Sequence, residues 1–114
     1  MATKIIDGYD LSEGSVLSSA ITDVGTIVLQ AKISGATSSK KVKISILAKE
    51  GDSDYDPVRN ENNDEINFSI YGNGGYRMQL NSVNAENIKI QATVESGAVG
   101  TLTVEYTKEA NALT

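Results

Sequence analysis

Apolar and polar residues alternate along much of this chain, and a period of two is what a β-strand with one buried and one wet face imposes. The cleanest stretch runs from Asn87 to Tyr106. Ile88, Ile90, Ala92 and Val94 alternate with Lys89, Gln91 and Thr93, and then Leu102, Val104 and Tyr106 alternate with Thr101, Thr103 and Glu105. Ser96, Gly97, Ala98, Val99 and Gly100 lie between them. A short glycine-bearing loop of this kind predicts a β-hairpin.

The same period marks Thr26 to Ser34, with Ile27, Leu29, Ala31 and Ile33 inward, and Lys41 to Lys49, with Val42, Ile44, Ile46 and Ala48 inward. Their similar lengths predict neighbours in the same or facing sheets. Ile66, Phe68 and Ile70 begin another strand, and Gly72, Asn73, Gly74 and Gly75 turn the chain into Tyr76, Met78 and Leu80, which predicts a second hairpin. The first 24 residues are less regular. Ile5 and Ile6 are followed by Asp7, Gly8, Asp10 and Gly14, which reads as an extended arm or edge strand. Val16, Leu17, Ala20 and Ile21 fit a helical face, whereas Val16, Ser18 and Ala20 fit a strand of small residues. The strand is preferred because everything after it is β.

These elements predict an all-β fold, an antiparallel β-sandwich of jelly-roll or immunoglobulin-like type with about 7–8 strands and no significant helix. Residues 1–24 form an N-terminal arm and edge strand, 25–107 the sandwich, and 108–114 a polar tail. With 114 residues there is room for one core. One Phe and no Trp make that core aliphatic.

Composition removes several function classes. The chain has no Cys and no His, which rules out a disulfide framework, thiolate metal sites and nucleophiles paired with histidine. The expectation is a protein that is not an enzyme and holds no cofactor. A net charge of −5 argues against a nucleic-acid partner, because neutralising phosphates takes clustered Lys and Arg. No apolar run reaches the ~20 residues of a membrane span. Synthesis and folding in a cytoplasm are expected.

Residues 50–65 are rich in Asp and Glu. Asp52, Asp54 and Asp56 resemble the opening of a calcium loop, yet Pro57 and Asn63 stand where such a loop needs Gly and Glu, so this reads as a solvated acidic loop. The glycines at 72, 74 and 75 lead into a strand rather than a helix, which suits a turn and not a phosphate cradle. Tyr55, Tyr71, Tyr76 and Tyr106 lack the row arrangement of a sugar platform. Lys40, Lys41, Lys43 and Lys49 read as a solvated strand face.

Three segments together carry a resemblance. They are VKISILAKEGDSDYDPV at 42–58, YGNGGYRMQL at 71–80 and the terminal NIKIQATVESGAVGTLTVEY. Residues 25–106 resemble a small β-sandwich module of bacteriophage virion proteins, with Tyr55 where relatives often carry Trp. The resemblance implies a virion structural protein without catalytic residues, first an auxiliary or decoration protein on the capsid and next a small tail or fibre component; the rival reading, from a different class, is a carbohydrate-binding adhesion module. Its implied partners are the major capsid protein or other virion subunits, in a homo-oligomer or symmetric multicopy assembly. Ile5, Ile6, Tyr9 and Leu11 are the expected partner-binding residues, held in a groove or added to a sheet edge of a neighbour.

Overall fold

A computed structural model describes residues 3–24, 26–49, 54–59, 62–80 and 85–109 of the protein. They form two facing antiparallel sheets. The first has the order β1 (Thr3–Asp10), β10 (Thr101–Glu109), β4 (Thr26–Ser34), β8 (Gly74–Leu80). In the second, β9 (Ala85–Val94) and β5 (Lys41–Lys49) are central. The short strands β2 (Val16–Leu17) and β3 (Ile21–Val24) pair with the outer side of β9, while β6 (Asp56–Pro57) and β7 (Asn67–Tyr71) pair with that of β5. The one helical element among the described residues is a 3-10 turn, Leu11–Glu13.

The alternating residues form the core as their period predicts. Ile27, Leu29, Ala31, Val42, Ile44, Ile46, Ile88, Ile90, Ala92, Leu102 and Val104 are all fully buried between the sheets. The pattern is a sandwich because each strand gives one face to the partner sheet and one to water.

Both predicted hairpins are corrected. Strand β9 pairs with β5 whereas β10 pairs with β4, so Glu95 to Gly100 carries the chain from one sheet to the other. The Gly72 to Asn73 turn likewise leaves β7 on β5 and starts β8 on β4. Alternation reports which side of a strand is buried, and the inner sides of two facing sheets read alike. A short loop crosses the sandwich as readily as it joins neighbours.

Among the described residues, counting β2 with β3 and β6 with β7 as interrupted strands leaves eight positions from ten strands, four to a sheet. Apart from those pairs, only β5 and β6 of the described strands are both consecutive in the chain and neighbours in a sheet. This order is that of a jelly roll.

Of the two readings of the N-terminal segment, arm or edge strand, the edge strand holds. Strand β1 pairs with β10, from Thr3 opposite Tyr106 to Asp10 opposite Thr101, so it belongs to the sandwich rather than to a projecting arm. Register shifts between Lys4 and Ile6 and between Ile6 and Tyr9, with Gly8 at φ 65°, break the period that would have revealed it. At the other end β10 continues through Lys108, whose ammonium donates to the Thr22 carbonyl at 2.8 Å and ties the two sheets together. The remainder of the expected tail, 110–114, lies outside the described residues.

Candidate functional site

The loops at 10–15, 35–40, 72–73 and 95–100 meet at one end of the sandwich and are laced together. Asn73 accepts the Ala36 N–H through Oδ1 at 2.8 Å and donates back to the Ala36 carbonyl at 3.4 Å. Leu11 N–H donates to the Gly100 carbonyl at 2.9 Å, and Glu95 accepts the Lys41 N–H at 2.8 Å. The Asn73 and Glu95 side chains here give loop and strand-end backbone the partners that a neighbouring strand would supply.

Beside this end, on the open side of the sandwich, edge strand β1 of the first sheet faces edge strand β2 of the second. Between them lies a groove of about 440 Å³. Its apolar wall is Ile5, Tyr9, Val16 and Leu17, and Asp7 and Glu13 stand on its margin. Leu17 is 48% exposed, the most open aliphatic side chain among those described.

Both walls are held firmly. The Tyr9 hydroxyl donates to the Gly14 carbonyl at 2.6 Å, closing the turn between β1 and β2. Asp10 caps the 3-10 turn, its Oδ1 accepting the Ser12 hydroxyl at 2.7 Å and the Ser12 N–H at 3.0 Å. Those two bonds, the hydroxyl first, hold the Asp10 carboxyl below its ordinary range. On the facing wall the Ser15 hydroxyl accepts the Val94 N–H at 3.0 Å, and the Ser18 hydroxyl accepts the Ile90 N–H at 2.9 Å.

The structure divides the four residues expected to bind a partner. Ile6 and Leu11 are 5% and 2% exposed and belong to the protein's own core, so they are corrected from partner-binding to structural. Their burial follows from β1 joining the sheet: Ile6 faces Val104 across the ladder and takes its inward direction. Ile5 and Tyr9 are half-buried and reach the groove.

Val16 and Leu17 were not among the expected residues. Leu17 opposes Gln91, on the outward side of the second sheet, so it is an apolar residue on a wet face. That misfit with the Val16, Ser18, Ala20 strand pattern was the available signal.

Other candidates resolve differently. Tyr55 lies near the Lys49 and Lys89 ammonium groups, 5.4 and 4.8 Å from its ring centroid, so part of the lysine face is engaged in cation–π contacts. Asp52 lies outside the described residues, and among those described no three acidic side chains converge as metal ligands would. No family model matches the chain, and no curated protein is significantly similar to it.

Proposed function

We propose that this protein is a structural component of a bacteriophage virion, an auxiliary or decoration protein bound to the capsid surface, and that it binds through the groove between β1 and β2. The observation that carries the reading is the groove itself. Ile5, Tyr9 and Leu17 present apolar surface on walls whose backbone is already locked by Tyr9, Asp10, Ser15 and Ser18. A partner there meets a preorganised surface and loses little entropy in ordering it.

The jelly-roll order and the resemblance of residues 25–106 to virion modules support the same reading. Fold alone would not, since one architecture hosts many functions. Asp7 and Glu13 on the margin select the occupant: an extended segment of a virion subunit that offers apolar side chains together with Lys or Arg.

The test is co-sedimentation of the purified protein with particles that lack it. The expected result is saturable binding that Leu17→Lys abolishes without lowering the melting temperature. Failure of the unaltered protein to bind particles, with binding to a glycan array instead, would replace this reading by the adhesion-module one.

A further inference from the structure

A sandwich of two open sheets has four edges, and a bare edge is a template for another strand. Three of the four are disrupted here. Strand β1 carries two register shifts and a left-handed Gly8. The β2 and β3 edge breaks at Ser18, whose side chain takes the place of a backbone acceptor for Ile90. The β6 and β7 edge contains Pro57 and then leaves the sheet at Val58, returning at Ile66 through a bond from the Ile66 N–H to the Val58 carbonyl at 2.8 Å.

The fourth edge, β8, has no register shift and no proline, and its one positive-φ glycine, Gly74 at 149°, stands at its first residue. It pairs with β4 at seven consecutive positions, from Gly74 opposite Ile33 to Leu80 opposite Ile27, with no shift. Its outer side has no strand neighbour among the described residues. The inward-facing Tyr76 is already placed, stacked on Phe68 of the other sheet at 4.4 Å between ring centroids and 18° between planes, while 47% of it stays exposed. An ordered, straight, half-apolar edge is the feature that the other three have lost.

We propose that two copies of this protein join edge to edge through antiparallel β8 strands, with Met78 facing Met78 of the second copy. The strand's own sequence selects both occupant and register. A two-fold axis perpendicular to the sheet keeps inward positions opposite inward ones, which leaves few ways to pair β8 with itself. Centring on Arg77 sets two guanidinium groups face to face, which is repulsive. Centring on Tyr76 sets Gly74 and Gly75 against Met78 and Arg77, which wastes the pairing on glycine. Centring on Met78 sets Met78 against itself on the inward side of the sheet and Arg77 opposite Gln79 on the outward side. Two apolar side chains then meet, and the two cations stand apart. The first sheets of the two copies become one sheet of eight strands, twice the four that each contributes.

This pairing concerns how copies meet each other and is independent of whether the groove binds a capsid. Its test uses the absence of cysteine from the chain. Met78→Cys places a thiol beside its own symmetry mate, and mild oxidation is expected to give a covalent dimer, whereas Arg77→Cys, opposite Gln79, is not. Sedimentation of the unaltered protein is expected to show a reversible dimer. Gln79→Glu, facing Arg77 of the second copy twice over, should tighten it by about tenfold, and Gln79→Lys should weaken it by a similar factor. A protein that stays monomeric up to millimolar concentration overturns the proposal. So does a dimer that cross-links through Arg77→Cys as readily as through Met78→Cys, or one indifferent to the sign of charge at position 79. Melting temperatures measured alongside separate any variant that has merely unfolded.

Discussion

The Ser18 hydroxyl takes the place of a backbone carbonyl beside β9. Its Oγ accepts the Ile90 N–H at 2.9 Å and donates to the Ser19 carbonyl at 2.8 Å, while the Ser18 N–H donates to the Ile90 carbonyl at 2.9 Å. One residue thus satisfies both backbone groups of Ile90 across a break in the edge strand.

Removing that hydroxyl strands a buried amide. Ser18→Ala is expected to destabilise the fold by about 1–3 kcal/mol, the usual cost of an unsatisfied buried donor. Ser19→Ala, which alters an exposed side chain and keeps the accepting carbonyl, should stay within about 0.5 kcal/mol of the unaltered protein. Urea denaturation of the two variants checks the contrast.

Gly100 is predicted to be the least replaceable glycine of the loop end. Its φ is 135°, and a Cβ there would stand 2.9 Å from the Ser34 carbonyl oxygen and 3.1 Å from the Ala36 nitrogen. Gly35 also has a positive φ, 72°, but a Cβ on it would meet nothing within 4 Å. Gly35→Ala should therefore cost only the backbone strain of about 1–2 kcal/mol. Gly100→Ala should cost clearly more, because the backbone of residues 34–36 must also move. Comparing the midpoints of thermal unfolding decides it.

Core and groove separate along one short segment, with Leu11 in the 3-10 turn and Leu17 in β2. Leu11→Ala is expected to lose about 2–5 kcal/mol of stability, as buried leucines do. Leu17→Ala should leave stability nearly unchanged and lower particle binding instead. If Leu11→Ala folds as well as the unaltered protein, the segment is not the integral strand and turn described above.

Asp10 gives a pH dependence of known sign. Its folded pKa is depressed by the Ser12 hydroxyl and N–H, so the stabilisation it brings is fully present above the unfolded value, near 3.8, and is lost as pH falls through the lower folded value. Asp10→Asn removes that titration. The melting temperatures of the variant and the unaltered protein should differ at neutral pH and draw together in acid, as the pH falls below the unfolded value and through the depressed folded one. A constant difference across the range would mean that the carboxylate charge is not what the cap uses.

Most of the core was legible because β4, β5, β9 and β10 alternate, with Val28 and Leu47 as apolar residues at outward positions and Ser45 as a buried polar one, and the fully buried apolar residues are the inward ones. What alternation could not convey was partnership. Val94 and Leu102 flank a loop that any two-residue period would read as a hairpin, yet they end in different sheets. The edges were harder for a related reason, since the devices that disrupt an edge also disrupt its period. Gly8 hides β1, Ser18 divides β2 from β3, and the excursion from Val58 to Ile66 divides β6 from β7. The candidate groove was half legible. Ile5 and Tyr9 announced themselves as apolar residues in a polar segment, while Ile6 and Leu11 carried the same signal and were spent on the core.

The pairing of β1 with β10 sets the order of events at synthesis. Thr3 finds its partner only in Tyr106, and the central strands β10 and β4 of the first sheet run side by side from Thr26 opposite Glu109 to Ser34 opposite Thr101. No nascent chain shorter than this can complete that sheet, and until β10 leaves the ribosome β1 and β4 lack the strand that joins them. Sheets built from such distant pairings also form slowly, on the scale of milliseconds to seconds. That sheet therefore closes only once β10 is available, and a stop codon that removes β10 takes away one of its central strands.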